Sequence, residues 1–167
     1  MAKSLIASVL DGSDRRSIGR VDEVVRLVLN APRRFPELIK CLSDENPVVR
    51  MRAADAAEKV SARKPRLLDR HKGELLGLLS EADEIELRWH LAAMVPRLRL
   101  TPPERRRAVT AFYRYLNDRS SIVKTFALQG SRIFDETTLP CAAACGSSWK
   151  MLCDPGRRRC GRVPASC

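Results

Sequence analysis

The chain has 167 residues, 44% of them hydrophobic and only 5% aromatic, and it carries a formal net charge of +11. That length fits one ordinary domain with a core of its own, and apolar mass supplied by Leu, Val and Ala suits packed helices better than a β-sandwich. The charge favours solubility and attraction to anionic partners and is silent on fold.

No stretch approaches the ~20 apolar residues of a membrane span. The opening, Met1 to Leu10, has one lysine and no sustained apolar run before Asp11 and Asp14, so it does not form a signal peptide. A cytoplasmic setting is expected, with no membrane contact. Residues 1–30 read as an N-terminal segment ending in a covering helix. Between Ser13 and Asn30, Ile18, Val21, Val24, Val25, Leu27, Val28 and Leu29 follow helical spacing.

An array then runs over residues 31–134. Leu38-Ile39-Lys40-Cys41-Leu42, Leu75-Leu76-Gly77-Leu78-Leu79 and Phe112-Tyr113-Arg114-Tyr115-Leu116 align without gaps, their closing leucines at 42, 79 and 116, a step of 37. Each segment is apolar on most of its girth, as a buried helix is. A short polar break and a second apolar helix follow each one. Asn46-Pro47 is a cap with proline at the first helical position, and Thr101-Pro102-Pro103-Glu104 is a capping box. The pattern predicts antiparallel pairs at about 36–42/47–62, 66–79/84–95 and 103–116/120–129, with Ala53 and Ala54 at a tight contact between helices. An apolar residue precedes Arg50, Arg88 and Lys124, which recur at matching positions of the second helices and read as structural.

Asp44-Glu45-Asn46-Pro47-Val48-Val49-Arg50-Met51-Arg52-Ala53-Ala54-Asp55-Ala56-Ala57 closely resembles the second-helix signature of HEAT repeats, and Asp83 to Ala92 and Asp118 to Leu128 are degraded copies. The resemblance implies an all-α chain: an α-solenoid of about three HEAT-type hairpins with an extra N-terminal helix. HEAT arrays are mostly binding scaffolds, so it also implies a non-enzymatic protein that binds a protein partner along the concave face of the second helices, near Arg52, Asp55, Trp89 and His90. The consensus residues themselves are packing residues and define no site.

A second surface has a different chemistry. Arg33, Arg70 and Arg107 are spaced by the same step of 37, and Arg66, Lys72 and Arg106 cluster with them in the linkers and first-helix starts. Such an edge could track a phosphate backbone, which makes nucleic-acid binding the alternative function; the plain alternative is a solvated rim. The sequence contains no Gly-rich phosphate loop, nucleophile elbow or His/Glu metal pattern. No enzyme activity, cofactor or metal is expected. His71 and His90 read as ordinary histidines, and Tyr113 and Tyr115 fall in a segment that looks buried.

From Gly130 the pattern breaks. Residues 135–167 read as an irregular, disordered tail holding Cys141, Cys145, Cys153, Cys160 and Cys167, whose spacings match no zinc motif, while Cys41 stands apart. Codon degeneracy opens another reading. Trp149-Lys150-Met151-Leu152, read one nucleotide earlier, must give Leu, Met or Val, then Glu, then Asp or Asn, then Ala or Val. Such a helix falls where the next repeat is due, and Gly130 to Phe134 can likewise encode a continuing helix. The tail is therefore either genuine and divergent or the product of a frameshift just after Gln129 that removes the capping repeat.

Overall fold

The computed structural model describes residues 4–12 and 17–138, with side chains as far as Phe134. Eight α-helices joined by turns and short 3-10 segments make up the described residues, and no strand occurs among them. The chain divides between Phe134 and Asp135 into two units. The irregular tail expected from residue 135 gives way to helical backbone as far as Thr138, and the rest of it, 139–167 with its five cysteines, lies outside the described residues.

Helix α1 (Leu5–Leu10) was not anticipated. The Ser4 hydroxyl caps it, accepting from the Ala7 N–H at 3.1 Å, and Ile6, Ala7 and Leu10 turn inward. Helix α2 (Val21–Asn30) begins later than Ser13. Gly19 lies in the left-handed region at φ 56°, which interrupts helical backbone, so Ile18 stays in the preceding loop, 54% exposed. Helix α3 (Phe35–Lys40) sits between 3-10 turns at Pro32–Arg34 and Cys41–Ser43. Helix α4 (Pro47–Arg63) starts at the expected cap, Asn46 Oδ1 accepting from the Val48 N–H at 2.9 Å.

The first helix expected from residue 66 is split. A 3-10 segment, Pro65–His71, precedes α5 (Lys72–Glu81). The tighter winding buries Leu68 and leaves Arg66 and Arg70 outside. Helices α6 (Ile85–Met94) and α7 (Pro102–Tyr115) follow, the latter behind the anticipated capping box, in which Glu104 Oε2 accepts from the Thr101 N–H at 2.7 Å. Helix α8 (Ser121–Thr138) continues past Gln129. Val123, Ala127, Gly130 and Phe134 form one buried stripe on it. Glycine is needed at 130, where a Cβ would stand 2.7 Å from Cε2 of Phe112; Phe134 stacks on the same ring, centroids 5.8 Å apart.

Helix α4 packs on α2 at one side and α6 at the other, while α3 packs on α4 and α5 on both α6 and α7. Trp89 and Phe126, stacked at 5.3 Å, place α8 next to α6. Two layers result, α2-α4-α6-α8 and α3-α5-α7, with α1 against the first three helices that follow it. Ala53, Ala54, Ala56 and Ala57 are all fully buried, so the centre of α4 meets its neighbours with small side chains, flanked by Val49 and Val60.

Recurrent ion pairs link successive units. Arg50 Nη1 donates to the Asp44 carbonyl at 2.6 Å and its guanidinium pairs with Glu84 in the next polar break. Arg88 repeats the arrangement, Nε donating to the Ala82 carbonyl at 2.7 Å and Nη1 to Asp118 in the break after that at 2.5 Å. Lys124, third in the series, is exposed and makes no ion pair among the described residues. In the other layer the buried Tyr115 hydroxyl donates to the Leu79 carbonyl at 2.8 Å; burial, opposed by the Arg88 charge, pushes its pKa up to about 12. Tyr113 turns the other way and is 63% exposed, contrary to the reading of its segment as buried.

Among the described residues no helix is long and apolar enough to cross a membrane, and no group of His, Cys, Asp or Glu is placed to hold a metal ion.

Candidate functional site

Helices α4 and α6 lie side by side, so residues one turn apart on each share a surface. Met51, Asp55 and Lys59 on α4 face Glu86, Trp89 and His90 on α6, and Ser17 and Ile18 of the loop before α2 close one side. With Arg52 they line a cleft of about 390 Å³. The four residues singled out from the sequence, Arg52, Asp55, Trp89 and His90, therefore meet at one place.

Their roles differ. Arg52 is 5% exposed and its guanidinium donates to the carbonyls of Leu10 at 2.9 Å, Asp11 at 3.1 Å and Ser17 at 3.1 Å. It holds the N-terminal segment in place and forms the cleft's inner wall. His90 is also buried, its Nδ1 2.6 Å from the Glu86 carbonyl, which can only accept, so Nδ1 is a donor. Its Nε2 makes no hydrogen bond and lies 3.8 Å from Asp55 Oδ1. Burial pushes the Asp55 carboxyl up, but His90 and the Lys59 ammonium at 3.1 Å outweigh it and hold the group below its ordinary value. Lys59 is shared with Asp22 at 3.4 Å.

What remains for a ligand is mainly apolar. The Trp89 indole is half-buried between His90 and Phe126, rigid and presenting an edge to the cleft beside Met51 and Ile18. At the rim the Glu86 carboxylate has no hydrogen bond or ion pair among the described residues. The cleft thus offers a mainly apolar surface with one uncompensated carboxylate at its rim. Cys41, the free thiol of the described residues, is away from the cleft and buried, and that burial pushes its pKa up, which leaves it a poor nucleophile. Met51, Lys59, Glu86 and Ile18 were not singled out beforehand. The first three follow from Asp55 and His90 by steps of four residues on a helix, whereas Ile18 reaches the cleft only because Gly19 ends the helix early.

The basic edge divides in two. Arg33, Arg66 and Arg70 line a cleft of about 480 Å³ between the Pro32–Arg34 turn and the Pro65–His71 segment. Arg106 and Arg107 line another, of about 380 Å³, with Arg114, Ser80 and Thr110. Lys72 belongs to neither: it donates to the Arg99 carbonyl at 3.1 Å and to Glu104 at 3.3 Å. Arg97 and Arg99 are likewise paired, with Glu58 at 2.5 Å and Asp69 at 2.6 Å.

Compared with family models, with curated proteins and with solved structures, the chain matches none.

Proposed function

We propose that the chain is a HEAT-type α-solenoid acting as a non-enzymatic scaffold, and that it binds a protein partner through the cleft between α4 and α6. The observation that carries this reading is the union of a rigid aromatic edge, Trp89, with an apolar floor and an unpaired carboxylate, Glu86, on consecutive second helices. Anchors of this kind dominate protein interfaces, where a buried aromatic supplies area at small entropic cost and a rim charge selects the partner. The partner segment accordingly brings an apolar side chain to Trp89 and a basic one to Glu86. The step of 37 residues, the HEAT-like stretch from Asp44 to Ala57 and the recurrent Arg50 and Arg88 pairs support the solenoid assignment. The alternative-frame helix near position 149 supports a change of reading frame after Gln129, with loss of the capping repeat.

The test compares proteins captured from the source cell by the wild-type chain and by Glu86→Arg and Trp89→Ala, identified by mass spectrometry. A specific partner retained by the wild type and lost with both variants is the expected result, with Glu86→Arg, at an unpaired carboxylate, melting close to wild type as the control for folding. Identical captures by all three would remove the cleft from consideration.

A further inference from the structure

Among the described residues, some arginines are committed to the fold and others line open clefts. Arg34, Arg50, Arg52, Arg88, Arg97 and Arg99 are spent on carboxylates or carbonyls of the fold. The guanidinium groups of Arg33, Arg66 and Arg70, in one cleft, and of Arg106, Arg107 and Arg114, in another, make no hydrogen bond or ion pair among the described residues. These six arginines are exposed, so their donors face solvent and are open to an anionic ligand. We propose that these two arginine clefts are a binding site for the phosphate backbone of duplex nucleic acid.

Several features favour phosphodiester over an acidic protein surface. Arginine's planar fork matches phosphate bidentately, and all six groups are arginine although the chain has lysines nearby. The clefts sit on successive units: the first opens between the segment leading into α3 and the one leading into α5, the second over α7 beside Ser80 of α5. Two separate arginine clusters suit a ligand that carries several phosphates better than one with a single anionic group. Of the two aromatic rings in the first cleft, Phe35 is buried and His71, 15% exposed, packs against it and lies 3.4 Å from Glu74, so the cleft offers little surface for stacking an unpaired base. Backbone contact without base contact gives binding that is strongly salt-dependent and indifferent to sequence.

The test is fluorescence anisotropy with the full chain and a labelled DNA duplex of arbitrary sequence, titrated between 50 and 200 mM salt. With six phosphates neutralised, affinity falls on the order of a thousand-fold over that range, the slope being roughly 0.9 per phosphate. The triple variant Arg33→Gln, Arg66→Gln, Arg70→Gln lowers the slope by about 2.7 units, and replacing all six removes binding. A control triple, Arg26→Gln, Arg119→Gln, Lys124→Gln, changes net charge equally outside both clefts and keeps the wild-type slope. Equal loss in the control would reduce the effect to net charge and overturn the proposal. So would absence of duplex binding at 50 mM salt, or binding of polyglutamate in preference to duplex. Far-UV melts of each variant, all at exposed positions, establish that folding is intact.

Discussion

The guanidinium of Arg52 donates to the carbonyl of Leu10 at 2.9 Å and so ties the middle of α4 to the end of α1, across a sequence separation of 42 residues. Because Nε reaches Ser17 as well, one side chain fixes both ends of the loop that closes the candidate cleft. Arg52→Leu should destabilise the chain by about 3 kcal/mol, since charge-assisted bonds are lost and buried carbonyls are left unsatisfied. Arg52→Lys should recover only part of this, one ammonium being unable to span carbonyls served by a planar fork. Chemical denaturation of the two variants measures the difference; equal stability of Arg52→Leu and wild type would show that the loop needs no such tether.

Acid should weaken the contact between successive units. The Asp118 carboxyl is held below its ordinary value first by the Ser120 N–H at 2.8 Å, against the cost of burial, and then by Arg88. A depressed folded value contributes stability that is present above the unfolded value of about 3.9 and is lost as pH falls through the folded one. Asp118→Asn should lower stability at pH 7 on the order of 1–2 kcal/mol and flatten the acid limb of a stability-versus-pH curve. An unchanged acid limb in the variant would assign that pH dependence to other groups.

Ala54 is fully buried where α4 meets its neighbours. Ala54→Leu should overpack that contact and cost about 1–3 kcal/mol, seen as a lowered Tm. A melt identical to wild type would mean that the neighbouring helices separate freely.

Sequencing the gene across codons 125–167 tests the proposed change of frame. A single-nucleotide correction after Gln129 should open an uninterrupted frame with an amphipathic helix around position 149. A stop codon in that frame before the helix would refute the idea. The helical backbone seen from Gly130 to Thr138 fits either outcome, because Gly130 to Phe134 encodes helix-compatible residues in both frames.

Much of the helical framework could be read from local chemistry. The Asn46 cap, the Thr101–Glu104 box and the recurring leucines each act within a turn or two, so their consequences are visible in a short stretch of residues. The departures arise where distant groups decide. Residue Gly19 stops α2 through its own backbone angle, yet only the fold places the Arg52 guanidinium beside it. The order of Arg33, Arg70 and Arg107 was legible as spacing; which arginines remain unpaired was not, because Lys72 finds Glu104 and Arg99 finds Asp69 only after the hairpins are stacked. Likewise, the burial of His90 and Arg52 separates them from the exposed contact surface their positions suggest.

The Arg50–Glu84 and Arg88–Asp118 pairs each join one unit to the next and to no other. What these pairs contribute to stability is therefore local, tying α4 to the break before α6 and α6 to the break before α8. Amide protons at the centre of α4, which has helices packed on both sides, should accordingly be among the last to exchange.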